Sequence, residues 1–524
     1  MRSEPALRPH RAPTRSRFDE KPDFARTRVD WLIDNGEAYG ALVAAVRDAR
    51  ESIWISQLAF DPDCRAYASV DPGGDAGTRG ENLLEVILAA STDHSVSVKI
   101  LLNSTLLLDT KRALLRFLAK RGISTGLVEV RGVSRFPQLL HAKMVIIDER
   151  RAFLMGSPFV NGYWDTPEHS VADDRRPHRE LAGRPIHDVS VGVSGPIVQE
   201  IAGTFTGYWH GAESRESGRA TPVRPRSIGL AGAGTSVTVV TTEPTGGRGS
   251  SDRGRLETRA ALLDGIGRAR SLIYIEHQYL SSRSVVQALR RALNREPGLE
   301  IILLLNQNPD VTAYRRWQNA RLADTGLLAH PRVGVFALWS GQKQNGRQRA
   351  INQVFVHSKV VIVDDAWAMV GSANLDGASL DSYGDDFSGP ISRRVFRDVR
   401  NFDVSIVLTV RKSAGVTNPI RELRERLWAE HLASGSSYAI ERGHGQLAAW
   451  NALASRNVTA LNMSTENEAP GLGRTFILPY SPSPSPRAQL ADAGVRATAR
   501  IDLRFDPGWL EINFSPNWIR NMFA

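Results

Sequence analysis

Cysteine is almost missing from this chain: of 524 residues only Cys64 carries a thiol. A lone cysteine cannot close an internal disulfide or build a cysteine-rich zinc site, and it fits a reducing compartment. It reads as a small buried hydrophobe. Long apolar runs are missing too, since no stretch approaches the ~18 residues that a membrane span requires. The opening "MRSEPALRPHRAPTRSRFDEKPD" has arginines but no apolar segment of a secretory signal, so residues 1–29 read as a solvated basic tail. These absences predict a cytoplasmic or membrane-peripheral protein, with export by a route lacking a classical signal left open. No spacing announces a metal or cofactor site, and the expectation is none of either. Asp381, Asp385 and Asp386 lie close together but lack any recognised calcium-loop pattern.

What the chain does contain is positive charge, a formal +10 carried mostly by arginine. Such a balance suits anionic partners, phospholipid headgroups or nucleic acid, without choosing between them. An apolar fraction of 42% and a charged fraction of 23% are those of a soluble globular protein, and the length favours more than one domain.

The chain is also duplicated. "ALVAAVRDARESIWISQLAF" (Ala41 to Phe60) aligns with "ALLDGIGRARSLIYIEHQYL" (Ala261 to Leu280), each an amphipathic helix followed by a β-rich run. "VSVKILLNST" (from Val96) matches "LEIILLLNQN" (from Leu299), and "HDVSVGVSGPIV" (from His187) matches "FDVSIVLTVRKS" (from Phe402). Strands alternating with helices predict an α/β fold with largely parallel sheets. The divisions are a first repeat over 30–210, a Gly/Ser/Arg-rich linker over 211–234, a second repeat over 235–436 and a C-terminal extension over 437–524. In that extension "SPSPSP" (481–486) reads as extended and polyproline-like, and "RIDLRFDPGWLEINF" as two short strands turning at Asp506-Pro507-Gly508.

Between the matched marks stand two copies of one motif. "LLHAKMVIIDERRAFLMGSPF" sets His141, Lys143, Asp148, Gly156 and Ser157 against His357, Lys359, Asp364, Gly371 and Ser372 of "VFVHSKVVIVDDAWAMVGSAN". On a strand, residues i and i+2 face the same way, so each histidine projects with its lysine. A buried lysine is costly unless an anion compensates it. Two such strands brought together suit an anionic phosphorus centre. One neutral histidine attacks, the other hands a proton to the leaving oxygen, and the lysines neutralise the non-bridging oxygens. With lysine supplying that charge, the chemistry needs no metal.

The spacing His-x-Lys-x4-Asp-x6-Gly-Ser-x-Asn, matched at every position by "HSKVVIVDDAWAMVGSAN", resembles the signature of the phospholipase D superfamily. The likeness runs from about Trp31 to Leu432. It implies two tandem α/β repeats related by a pseudo-two-fold axis, an active site at their interface and a covalent phosphohistidine intermediate. By the same resemblance His141 is the nucleophile and His357 the acid/base, and Lys143, Lys359, Ser157, Ser372 and Asn374 hold phosphate oxygens. Asp148 and Asp364 are the signature carboxylates, grouped with the catalytic residues although more structural than chemical. Asp188 and Asp403 orient the histidines through the other ring nitrogen. The first copy departs from the pattern: seven residues separate Asp148 from Gly156, which implies a longer hairpin, and Phe159 replaces the asparagine.

"IYIEHQYL" resembles the Ile-Tyr-Ile-Glu-Asn-Gln stretch of phospholipid-cleaving members and brings Glu276, His277 and Gln278 in as pocket residues. "LRERLWAEHLA" resembles the segment that closes their second repeat. The resemblance thus implies a phospholipid substrate met at a membrane surface by a monomer, since both motifs lie in one chain. The acidic-to-basic stretches 162–180 and 381–400 are expected to flank the cleft and help meet headgroup or membrane, with solvated surface loops as the alternative. A nuclease of the same superfamily and a non-catalytic membrane-binding protein remain alternatives. The first lacks a base-stacking motif, and the second does not explain two intact His–Lys pairs.

Overall fold

The computed structural model describes residues 26–67, 80–105, 108–123, 128–134, 137–177, 183–213, 227–230, 234–245, 254–343, 349–383, 386, 394, 397–410, 418–432, 445–463, 472, 474–496 and 501–504. Its frame is two sheets. The first orders its seven strands as Arg28–Ile33, Val189–Ser194, Arg151–Leu154, Met144–Ile147, Ser52–Ser56, Ser97–Asn103 and Val128–Val133. The second contains the same succession: Thr235–Glu243, Asn401–Val410, Trp367–Gly371, Lys359–Val363, Leu272–His277, Glu300–Leu305 and Val333–Lys343. Strand directions repeat as well, with four antiparallel pairings followed by two parallel ones in each sheet.

The expectation of largely parallel sheets therefore needs correction, because the motif folds back on itself as a hairpin and a hairpin is antiparallel. Within each run of seven strands the parallel neighbours come from the two βαβ crossovers, through helices such as Leu83–His94 and Arg283–Arg295. Both helices carry side-chain N-caps, Asn82 accepting from Glu85 N–H and Ser282 from Val285 N–H.

The two hairpins also correct the reading of the longer first copy. Ile147 pairs with Arg151 and Val363 with Trp367, so each loop has the same length. Asp148–Glu149 and Asp364–Asp365 adopt the same left-handed pairs of φ, 52° and 51° against 53° and 52°. Such paired positive φ values match the twist that a tight hairpin requires. The extra residue lies on the return strand, where Met155 N–H bonds the Lys143 carbonyl at 2.9 Å.

An apolar core common to both halves contains Val191, Val404, Ile406, Val360, Trp428 and Trp450, and each repeat has a further core on its outer face. The C-terminal extension packs onto the second sheet. Thr475–Pro479 pairs antiparallel with the strand containing Phe336, and Ile501–Leu503 runs parallel to Arg349–Ile351. Helix Gln446–Asn462 inserts Trp450 against Phe336, Tyr274 and Trp428. Within "SPSPSP" only the first part is extended. Pro486 is the first residue of helix Pro486–Asp492, capped by Ser485, as suits a residue with no N–H to leave unpaired. The turn at Asp506-Pro507-Gly508 lies outside the described residues. Among the described residues no helix is long and apolar enough to cross a membrane.

Candidate active site

The repeats are stitched together by two short parallel ladders that end at the histidines. Leu139–Leu140 pairs with Asn401–Phe402, and Ile186–His187 pairs with Phe355–Val356. The ladders continue into His141 N–H on the Phe402 carbonyl at 3.0 Å and His357 N–H on the His187 carbonyl at 2.7 Å. Each motif histidine is thereby set beside the strand of the other repeat.

The consequence is an exchange of partners. His141 Nδ1 lies 2.7 Å from Asp403 Oδ1, and His357 Nδ1 lies 3.0 Å from Asp188 Oδ2. Each carboxylate fixes the tautomer of a histidine on the opposite repeat and leaves its Nε2 for chemistry. Each aspartate is in turn held by the serine of its own motif, Ser157 Oγ donating to Asp188 and Ser372 Oγ donating to Asp403 at 2.9 Å. These serines, expected on phosphate, are engaged with the orienting carboxylates instead. A side chain at Gly156 would strike the Asp188 carboxylate, and one at Gly371 would strike Ser405, which explains the Gly of Gly-Ser.

His141, Lys143, His357 and Lys359 are each no more than 3% exposed. Lys143 Nζ donates to the His141 carbonyl at 3.0 Å, and Lys359 Nζ lies 3.0 Å from Nε2 of His357. Burial, then the neighbouring ammonium of Lys143, lowers the His141 pKa to about 4, with Asp403 opposing. Burial and Lys359 take His357 to about 3 against Asp188. Burial lowers Lys143 to about 8, while both Asp403 and Asp188 favour its charge. Lys359 is pushed down by burial and by Lys143 across the seam. The two half-sites thus form one electrostatic centre.

Several buried polar groups around it have no hydrogen-bond partner among the described residues: both amide atoms of Asn374, both ring nitrogens of His277 and both amide atoms of Gln57. His277 stands opposite Lys359 in the strand register, and continuing the register of the first repeat sets Gln57 opposite Lys143. Open donors and acceptors of this kind suit a polar ligand. Gln57 had gone unnoticed in the sequence. Its signal was its alignment with His277 in the duplication. Gln278, whose Oε1 is also unpartnered, stands beside the motif with its N–H on the Ser358 carbonyl. Phe159 enters the core against Tyr39 and Phe60, so the first copy offers no counterpart of Asn374.

Two expectations are corrected, and one alternative is set aside. Asp148 and Asp364 stand apart from the centre, at the hairpin turns. Asp148 accepts from the N–H groups of Arg50, Glu51 and Ser52 at 2.7–2.9 Å, and Asp364 from those of Arg270, Ser271 and Leu272 at 2.7–2.9 Å. Each carboxylate thus pins the start of the neighbouring strand. We predict that Asp364→Ala lowers the unfolding free energy by about 1–3 kcal/mol in denaturant titration, with turnover per folded molecule nearly unchanged. A loss beyond about tenfold in folded protein would return Asp364 to the chemistry.

Glu276 is the second correction. Strand alternation turns it away from His277, to His187, His431 and Tyr274 at 3.2, 2.9 and 2.8 Å. The alternative set aside is the solvated loop, because the described part of the stretch from Gly162 is largely buried. Tyr163 meets the His357 ring edge-on at 4.9 Å, and Asp165, His169 and Arg176 are buried. Of the other stretch, Asp381 binds Ser282 and Ser284, and Asp386 binds Arg283 and Arg321. Asp385 and most of 387–396 lie outside the described residues.

Fold and site together define a duplicated α/β protein with a composite two-histidine, two-lysine centre. Residues 262–387 match the family model described as "Cardiolipin synthase, PLD-like domain". The chain is 25% identical over 252 residues to phospholipase D zeta 1 of Arabidopsis thaliana, covering 40% of this chain and 21% of that protein. It is 25% identical over 379 residues to cardiolipin synthase A of Pseudomonas entomophila, covering 68% and 64%. Among solved structures, phosphatidylserine synthase of Haemophilus influenzae aligns with a TM-score of 0.49 at 12% identity, over 77% of this chain and 94% of that one. These similarities support a place in the phospholipase D superfamily, in the branch that acts on phospholipids. It spans less than two thirds of the length of the curated relatives it matches.

Proposed function

We propose that the protein is a phosphodiesterase of the phospholipase D type, acting on the headgroup phosphodiester of a glycerophospholipid by hydrolysis or by phosphatidyl transfer. The observation that carries this reading is the exchanged pairing, two imidazoles each held at Nδ1 by a carboxylate and flanked by two buried lysines. In the proposed sequence His141 Nε2 attacks phosphorus while the bond to the headgroup oxygen breaks. The His357 imidazolium gives its proton to that oxygen. Water or an alcohol then attacks the phosphohistidine, loses its proton to His357 and expels His141.

Lys143 and Lys359 hold the non-bridging oxygens, and Asn374 adds an amide donor. An arriving phosphodiester offsets the lysine charge that depresses His357, so substrate itself raises the fraction of the acid form. Phospholipid is favoured because the relatives are named for phospholipase D and cardiolipin synthase activities. Both half-sites lie in one chain, so a monomer at a membrane surface suffices.

The test supplies mixed phospholipid vesicles and ethanol to the protein, with supercoiled plasmid in a parallel tube and His357→Ala as control. Phosphatidylethanol that disappears with the variant is expected. Histidine-dependent nicking with lipid untouched would make the protein a nuclease. No product in either tube would leave a binding protein or another phosphodiester.

A further inference from the structure

Behind the proposed reaction centre lies a second buried cluster, with no signature in the linear sequence. Its members are Asp34 at the start of helix Asp34–Arg47, His169, His187 on the seam strand, and Glu430 near the end of helix Pro419–His431. The first three are at most 1% exposed, and the Glu430 side chain is 7% exposed. Their donor atoms all lie within 4.8 Å of one another. His187 Nδ1 is 2.8 Å from Glu430 Oε1 and 3.1 Å from Asp34 Oδ1. His169 Nε2 is 3.0 Å from Glu430 Oε1 and 3.7 Å from Asp34 Oδ2.

Hydrogen bonding alone serves this geometry poorly. The single Nδ1 position of His187 faces two carboxylates, and one N–H cannot satisfy both. Asp34 Oδ2 is buried without a hydrogen-bond partner among the described residues. Two imidazole nitrogens and two carboxylates spaced by 2.8–3.7 Å approximate the edges of a tetrahedron whose centre lies about 2.0–2.1 Å from each donor.

The surroundings follow the pattern of a metal site. A ligating histidine usually gives its other N–H to a carboxylate, which fixes tautomer and ring orientation. His169 Nδ1 lies 3.1 Å from Asp165 Oδ2, and His187 Nε2 lies 3.2 Å from Glu276 Oε1. Asp165 is anchored by Arg176 at 2.7 Å and the Ile186 N–H at 2.8 Å. Glu276 is anchored by His431 and Tyr274. With neutral imidazoles, the four carboxylates outweigh the Arg176 guanidinium, and a divalent cation offsets most of the excess.

We propose that Asp34, His169, His187 and Glu430 bind one divalent transition-metal ion, zinc by its donor set, as a structural clamp between the repeats. Three ligands come from the first repeat and one from the second. The clamp sits directly behind a catalytic partner, because the Asp188 N–H bonds Asp34 Oδ1 at 3.1 Å and the His187 carbonyl receives His357 N–H. It holds these groups and takes no part in the phosphoryl chemistry.

The test is elemental analysis of the full-length chain purified without chelator. About one equivalent of zinc is expected, retained by native protein in EDTA and released on unfolding. His169→Ala and Glu430→Gln should each fall below about 0.1 equivalent, with the surface variant His330→Ala unchanged. Refolding with cobalt(II) should give the visible absorption of a tetrahedral site. Should native protein carry no transition metal, and refolding with equimolar zinc or cobalt neither load the chain nor raise its Tm, the proposal fails and the cluster is a metal-free ion-pair network. Uptake on refolding alone supports it.

Discussion

His357→Ala is expected to lower turnover of a phosphodiester by about 10⁴-fold or more, His141→Ala to do the same, and the double variant to be scarcely worse than either. In the proposed scheme the groups act in series on one phosphorus, so removing either stops the sequence. Each is fixed by a carboxylate from the other repeat, and no neighbour can take over its position. His277, the third imidazole nearby, is held in the strand opposite Lys359. A leaving group that needs no proton, such as p-nitrophenolate, separates the roles. If His141 is the nucleophile, His357→Ala recovers part of the first step with that substrate and His141→Ala does not. The reverse result would exchange the assignments, and full activity in either single variant would end the two-histidine scheme.

Lys143→Met should remove turnover and make the protein more stable. Wild-type folding buries the Lys143 ammonium, and its pKa falls from the ordinary 10.5 to about 8. The folded state therefore binds protons less well than the unfolded one, at a cost on the order of 3 kcal/mol. The cost is fully present below pH 8 and is relieved as pH rises from there towards 10.5, where the unfolded chain also loses the proton. Methionine escapes it and fills similar space, so the variant should gain about 1–3 kcal/mol near neutral pH after the lost bond to the His141 carbonyl is counted. Denaturant titration of both proteins across this range should show the gain shrinking above pH 8. Wild-type turnover should fall over the same range as the charge is lost. A variant that is both inactive and destabilised would mean that Lys143 is stabilised by partners and is not held under strain for the reaction.

Much of this centre was legible because it is local. His-x-Lys fixes two side chains on one face of a strand, and the alignment of the repeats, together with the family resemblance, brought Asp188 and Asp403 forward. What the sequence withheld depends on pairing across long separations. Alignment shows that each repeat has an aspartate and a histidine, but not that His141 takes Asp403 and His357 takes Asp188, because that follows from the two seam ladders. The mixed sheets were misread because strand–helix alternation looks the same whether or not the motif strand turns back as a hairpin. Glu276 was grouped with His277 because neighbours in sequence look like neighbours in function, although strand geometry sends them to opposite faces. The cluster of Asp34, His169, His187 and Glu430 has no spacing to detect, since its members meet only when both repeats are folded and docked.

The exchanged pairing also bears on why two copies occupy one chain. A single-repeat protein could assemble the same contacts as a two-fold dimer, but its competence would then rise and fall with concentration. Every substitution would also appear on both sides of the axis. Fusion removes both constraints. The second half is supplied at a fixed effective concentration, and the halves are free to become unlike. Phe159 packed into the core where Asn374 keeps its amide unpartnered among the described residues is one such divergence, and under the proposed function it would give a substrate with two different ends one orientation in an otherwise symmetric frame.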